Sequence, residues 1–327
     1  MAEFALIDRI VERAPKSRSD VLVGIGDDAA VLTLPAGHQL VVSTDTLIDG
    51  VHFPRGTRAS DIGWKSLAVN LSDLAAMGAS PAWVSLALTL PEPDADFVDG
   101  FMDGFGALAA QHHVALIGGD TTRGDLAITL TVHGFVPEGK ALLRGGAQAG
   151  DQVFVTGTLG DAAAGLQLFK AFGHSRKDAT ESSEQQRAQL IERLNRPTPQ
   201  IAAGQILRGL AAACIDISDG LLADLAHVAR RSNVAIEIDV ANLPASSALY
   251  NQVRGDDRLA LQLGGGDDYE LAFTVPSAQV DAVSRDLSRI GCGMTRIGRV
   301  LEGTGVRALD EDGVEFTVQN GGWDSFQ

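Results

Sequence analysis

The sequence predicts a mixed α/β (α+β) protein built from two domains, and three observations carry that prediction. The chain has 327 residues, more than the ~100–150 typical of one domain. Short β-branched or apolar runs alternate with longer segments of helical periodicity. The alternation stops in a glycine-rich polar stretch, 137–150, and then restarts. The expected division is an N-terminal domain over 1–137, a linker over 138–150 and a C-terminal domain over 151–327.

In chain order, 21–23, 31–34 and 40–43 read as short strands broken by Gly and Asp. Ser60 can cap a helix in which Ile62, Leu67, Leu71, Leu74 and Ala75 recur at helical spacing, ending at Gly78. A strand is expected over 83–90, a helix over 94–112, and strands over 114–117 and 127–136. After the linker come a strand over 153–156 and a helix over 161–172. The polar segment 173–186 lacks apolar periodicity and reads as a mobile loop. Pro197 and Pro199 separate two further helices. A strand over 214–217, a helix over 221–231, strands over 235–240 and 270–275, a helix over 278–290 and terminal strands complete the order. No short-period repeat is present.

Composition narrows the function. Hydrophobic residues make up 45% and charged residues 21%, enough apolar material to exclude a disordered chain. Lys and Arg number 26 against 42 Asp and Glu, a net charge of −16. Nucleic acid and anionic membranes are poor partners for that sign. Cys214 and Cys292 are too few for a disulfide scaffold and lack zinc-type spacing. Met1-Ala2-Glu3-Phe4 has no basic leader, and no apolar stretch approaches the ~20 residues of a span. A reducing cytoplasm is the expected setting.

Of the 42 acids, 30 are Asp, a residue suited to caps, turns and compact oxygen sites rather than helix faces. They concentrate beside glycines at strand ends: Gly24-Ile25-Gly26-Asp27-Asp28, Ser43-Thr44-Asp45, Gly118-Gly119-Asp120, Asp216-Ile217-Ser218-Asp219-Gly220 and Gly264-Gly265-Gly266-Asp267-Asp268. Asp73 lies one turn before the end of the Ser60 helix. Any one cluster is also an ordinary turn. Five that met in the fold would repel unless protonated or compensated by cations, and oxygen-only ligands select Mg²⁺, Mn²⁺ or Ca²⁺.

Simpler motifs fail. Gly24-x-Gly26-x-x-Ala29 puts Asp27 and Asp28 where a pyrophosphate would sit and is followed by a strand-like run rather than a helix. Asp216-x-Ser218-x-Gly220 lacks the remaining ligands of a calcium loop. No glycine-rich loop ends in Gly-Lys-Ser/Thr, so a bound nucleotide would need metal ions to neutralise it. Arg144 is the best-placed basic residue, whereas Arg123 reads better as a solvated loop arginine. The helix start after Gly220 offers N–H groups suited to an anion beside Ser218.

Seven segments together resemble the thiamine-monophosphate kinase family, of the aminoimidazole-ribonucleotide-synthetase-like superfamily. They are Gly26-Asp27-Asp28-Ala29-Ala30, Ser43-Thr44-Asp45-Thr46-Leu47, His52-Phe53, the run from Ala68 to Ala79, the run from Gly118 to Gly124, the run from Asp216 to Leu221, and Gly265-Gly266-Asp267-Asp268-Tyr269-Glu270-Leu271. They occur in family order and span nearly the whole chain. The resemblance implies a two-domain homodimer whose N-terminal domain has a mixed sheet forming the dimer interface. It also implies ATP bound in a cleft bordered by both domains, and phosphoryl transfer from ATP to thiamine monophosphate with several Mg²⁺ ions. Position by position it implies Asp28, Ser43, Thr44, Asp45, Asp73, Asp120, Asp216 and Asp219 as metal ligands. Gly119, Asp120, Arg144 and Ser218 would contact ATP, and His52, Asp267 and Trp323 the thiamine phosphate. The family usually has Glu at the position of Asp267, so a direct contact there is open to replacement by a water-mediated one.

From residue type alone, Trp323 either stacks on a cationic ring or closes the C-terminal core, and His52 is as readily a polar loop histidine. Another ATP-dependent enzyme of the superfamily, or a non-catalytic Mg-nucleotide sensor, would carry the same acidic clusters. A nicotinamide oxidoreductase rests only on the failed glycine match.

Overall fold

The structure, a computed structural model, describes residues 3–15, 18–172, 181–318 and 322. The chain divides into two compact units, Met1–Leu74 with Ala79–Gly139, and Ala75–Gly78 with Lys140–Gln327.

In the first unit, α1 (Glu3–Arg13) is followed by β1 (Val21–Val23), β2 (Val31–Leu32), β3 (His38–Ile48), α2 (Ala59–Ala76), β4 (Ser80–Leu90), α3 (Ala95–Gln111), β5 (Ala115–Arg123) and β6 (Ala127–Pro137). The four-stranded sheet has the order β3-β6-β4-β5. β4 and β5 run parallel, and the other neighbours are antiparallel. Alternation along β6 buries Ile128, Leu130 and Val132 on one face. α2 crosses that side, with Leu67, Leu71 and Leu74 buried and Leu74 close to Gly134. α3 is capped by Asp94, which accepts from the Phe97 amide at 3.0 Å. α1 is pinned to α3 by ion pairs from Arg9 and Arg13 to Asp99, at 2.7 and 3.1 Å. At the other face, Val21, Ala30 and Leu32 cover Trp83, Ile117 and Phe135.

The second unit continues with β7 (Gln152–Thr156), α4 (Asp161–Phe172), α5 (Glu181–Asn195), α6 (Ile201–Leu207), β8 (Ala213–Asp216), α7 (Leu221–Ser232) and β9 (Ala235–Asp239). Then come α8 (Ser247–Gln252), α9 (Gly255–Gly264), β10 (Leu271–Val275), α10 (Val280–Arg289), β11 (Met294–Leu301) and β12 (Gly305–Leu309). Its six-stranded sheet has the order β12-β9-β11-β7-β10-β8, with only β12–β9 parallel. Val153, Val155, Ile215, Ile236 and Ile297 form its core with Leu221 and Leu225 of α7. The mixed sheets agree with the predicted mixed α/β class.

The polar segment expected to be a loop over 173–186 needs a correction. Its last six residues open α5, and 173–180 lie outside the described residues. The helix gains its packing only later, at Leu190 and Leu194, both buried and four residues apart. No helix among the described residues is long and apolar enough to cross a membrane.

Candidate functional site: two sets of acidic turns

In the first unit, β3 and α2 bring three of the expected residues together. Ser43 and Asp45 alternate onto the α2 side of β3. Ser43 Oγ donates to Asp73 Oδ2 at 2.5 Å, and the Asp45 amide donates to Asn70 Oδ1 at 3.2 Å. Thr44 points its side chain to the opposite face, where its hydroxyl pairs with that of Thr131 at 2.9 Å. Asp28 is exposed on its turn, and Asp120 is exposed within β5, opposite Ala87 of β4, although a strand end was expected there. The Asp28 amide donates to Asp27 Oδ1 at 2.9 Å, a local turn contact. Asp120 follows Gly119, where an added Cβ would come within 1.8 Å of the Leu86 carbonyl oxygen. Only glycine lets β5 approach β4 that closely and carry Asp120 where it stands.

His52 Nδ1 accepts from the Ile48 amide at 3.1 Å. A nitrogen that accepts carries no proton, so a neutral ring has its hydrogen on Nε2. Arg123 is exposed, as expected, but ends β5 rather than lying in a loop, and it donates from Nε to the Pro91 carbonyl at 3.2 Å.

In the second unit, Asp216, Ser218 and Asp219 lie at the β8–α7 turn, with Asp216 buried. Ahead of the helix, the N–H groups of Ser218, Asp219 and Gly220 all donate to Asp224 Oδ2, at 3.0, 3.1 and 3.1 Å. Asp224 is 4% exposed. Burial pushes its carboxyl up to about 7, against those three hydrogen bonds and with the help of nearby Asp219. The visible signal was an acid four residues after Gly220, one turn into α7.

Arg144 is exposed on a turn secured by the Cys214 amide donating to the Leu143 carbonyl at 2.9 Å and the Gly146 amide donating to Ser232 Oγ at 3.1 Å. His227 on α7 is held below its ordinary range, first by burial and then by Arg144, while Asp219 opposes the shift. Arg144 and Asp219 therefore share one neighbourhood.

Asp267 sits beside the same turn: its amide donates to the Ser218 carbonyl at 2.9 Å, and that of Tyr269 donates to the Ile217 carbonyl at 2.8 Å. Tyr269 Oη donates to Asp267 Oδ1 at 3.2 Å. Trp323 lies outside the described residues. Behind the loop are Arg193 and Asp161, which lie outside the motifs, and Asp268 and Glu270, which belong to the Gly265–Leu271 segment. The three acids are buried, and burial raises the carboxyls of Asp268 and Glu270 above the usual range.

Among the described residues no three His, Cys, Asp or Glu side chains converge as a metal-holding group. The surface groove lined by Glu237, Asn242, Arg296 and Arg299 contains none of the expected residues, and in it Arg299 Nε donates to Glu237 Oε1 at 2.8 Å.

Residues 26–136 match the family described as AIR synthase related protein, N-terminal domain, and residues 148–311 match its C-terminal domain. The thiamine-monophosphate kinase of Salmonella typhimurium is 45% identical over 324 residues, covering 99% of this chain and 98% of that protein. That of Bacillus subtilis is 36% identical over the full length of both. Among solved structures, the thiamine-monophosphate kinase of Stenotrophomonas maltophilia superposes with a TM-score of 0.86 at 53% identity, covering 96% of this chain and 97% of that one. AaThiL complexed with AMPPCP and TMP superposes with a TM-score of 0.77 at 34% identity, covering 99% and 96%. The hydrogenase maturation protein HypE of Escherichia coli, at 23% identity and a TM-score of 0.75, shares the fold.

Proposed function

The chain belongs to the AIR synthase related family and, within it, to the thiamine-monophosphate kinases, and on that footing we propose that it transfers the γ-phosphoryl group of ATP to thiamine monophosphate, giving thiamine diphosphate and ADP. The observation that carries this is identity of 45% across 99% of the chain to an enzyme of that name. The likeness to AaThiL complexed with AMPPCP and TMP supports the same pair of substrates.

The acceptor oxygen belongs to a phosphate ester whose second pKa is near ~6, so at neutral pH it is largely ionised and needs no general base. What remains is to hold two polyanions in line at close range. The donor set suits Mg²⁺: it is oxygen-only, and Ser43 Oγ and Asp73 Oδ2 already lie 2.5 Å apart. Mg²⁺ is ordinarily held by one or two carboxylates with the remaining positions filled by water and phosphate. We assign Asp28, Asp45, Asp73 and Asp120 the main part in holding metal, with Ser43, Thr44, Asp216 and Asp219. When bound, Mg²⁺ supplies charge neutralisation on the phosphate chains and on the transferring group.

Gly119, Asp120, Arg144 and Ser218 would contact ATP. His52 would donate from Nε2 to the acceptor phosphate, and Asp267 and Trp323 would meet the thiamine part. The N-terminal unit would carry most metal ligands and the dimer face. Its β3 leaves Leu40, Val42 and Ile48 41%, 51% and 40% exposed, on the face that also bears Thr44 and Thr46, and a second copy of the chain would cover them. We place the enzyme in the cytoplasm, as an acidic protein with only two cysteines.

Incubation with ATP, thiamine monophosphate and Mg²⁺ should yield ADP and thiamine diphosphate in equal amounts, and EDTA should abolish both. ADP without thiamine diphosphate would defeat the substrate assignment, and undiminished product in EDTA the metal assignment. Trp323→Ala should raise KM for thiamine monophosphate by about 2- to 30-fold, the range of a stacked cation, and leave KM for ATP unchanged. An equal ATP defect would show that the tryptophan is structural.

A further inference from the structure

The loop that carries Asp267 is held in an uncommon backbone conformation, and the source of that hold lies on a helix outside every motif. Asp267 and Tyr269 have φ of +68° and +51°. Asp tolerates the left-handed region, but a bulky Tyr there must be held by its surroundings. The intervening Asp268 is turned inward and 1% exposed, its Oδ2 accepting from the Gly160 amide at 2.8 Å.

Arg193 of α5 ties this loop from behind. Its guanidinium donates to Glu270 Oε1 at 2.9 Å and to the Asp268 carbonyl at 3.4 Å, and stands 4.0 Å from Asp161 Oδ2. Glu270 is fixed in turn by Thr156 Oγ1, which donates to its Oε2 at 2.7 Å. Gly157, with φ of +54°, makes room for it: a Cβ there would lie 2.2 Å from Glu270 Oε1. Asp161 is fixed by Thr158 and Ser246 hydroxyls at 2.7 and 2.6 Å. One planar cation thus faces two buried acids, Glu270 from Nη2 and Asp161 from Nε, and through Nη2 also reaches the backbone of the residue between the two left-handed ones. A lysine could keep the charge, but its single nitrogen could not stand at both the Nη2 and the Nε positions.

We infer that Arg193 is a positioning residue for thiamine monophosphate: its guanidinium, set between Asp161 and Glu270 and donating from Nη2 to Glu270 and the Asp268 carbonyl, sets the 265–270 loop so that Asp267 is presented to the substrate. The kinetic half of this rests on the assignment of Asp267 to the substrate; the conformational half does not.

The test compares Arg193→Lys, Glu270→Gln and Asp267→Ala with the parent enzyme. Glu270→Gln keeps the shape and the Thr156 contact, and serves if Arg193→Lys does not fold. In either network variant, hydrogen exchange of the peptide spanning 264–271 should accelerate by about tenfold, as expected when a local hold on a loop is lost while the global fold persists. KM for thiamine monophosphate should rise by about tenfold with KM for ATP within about twofold. A purely structural arginine would instead lower the melting temperature and depress kcat for both substrates alike. Unchanged exchange in the folded variants overturns the inference. If Asp267→Ala raises KM for thiamine monophosphate and the network variants do not, the inference also fails. If exchange accelerates while Asp267→Ala leaves KM unchanged, Arg193 does set the loop and it is the substrate role of Asp267 that falls.

Discussion

Asp73→Asn is expected to lower kcat/KM by about 10²- to 10³-fold, or roughly 3–4 kcal/mol of transition-state stabilisation, with the fold intact. Asn has nearly the shape of Asp and retains an oxygen able to accept from Ser43 Oγ, the contact now made at 2.5 Å. The site is half-buried near the end of α2, so the exchange opens no cavity in the core. What disappears is one negative charge in a set that would hold Mg²⁺ against polyphosphate. The loss should therefore be accompanied by weaker apparent Mg²⁺ affinity, partly recovered at high Mg²⁺, and by a melting temperature close to the parent's. Steady-state rates across a Mg²⁺ titration decide it. Unchanged turnover at limiting Mg²⁺ would remove Asp73 from the metal set.

The parts of the molecule readable from sequence are those whose signals are local. The helix over 161–172 matches α4 at both ends, and a Gly-containing turn precedes it. The helix expected over 94–112 is α3, with Asp94 and His112 as its caps rather than its first and last residues. β3 runs from His38 to Ile48, although alternation favoured only 40–43, because pairing along its whole length with β6 outweighs the weak strand preference of its Asp and Ser. Among its described side chains α1 buries Leu6 and Ile10, and Arg9 and Arg13 tie it to α3. The first half of α5 is polar and offered no stripe.

At the candidate site the division is similar. The acids beside glycines were legible by type. Their partners were not: Asn70 for Asp45, Arg193 for Glu270, and the opposite facing of Thr44 follow from strand pairing and helix packing. The turn after β8 has a partner that local reasoning did not supply: the N–H groups of Ser218, Asp219 and Gly220, ahead of the helix, donate to the carboxyl of Asp224 one turn into it.

That internal anion is the basis of a second large effect. Asp224→Ala would leave the amides of Ser218, Asp219 and Gly220 without the oxygen they share at 3.0–3.1 Å. Hydrogen bonds to a charged group contribute about 1.5–3 kcal/mol each when intact. Ser218 and Asp219 are only half-buried, so water can replace part of that, whereas Gly220 is buried. A net cost of about 2–4 kcal/mol to the turn is expected. The turn carries Asp216, Ser218 and Asp219, so its loosening should raise KM for ATP by about tenfold or more and lower the melting temperature by several degrees. Asp224→Asn separates geometry from charge. Its Oδ1 can still accept from the turn, so it should recover most of the stability and part of the ATP affinity. If Asp224→Ala matched the parent in both, the three hydrogen bonds would not be what shapes the turn. If Asp224→Asn were as defective as Asp224→Ala, the negative charge rather than the acceptor geometry would be the element the turn requires.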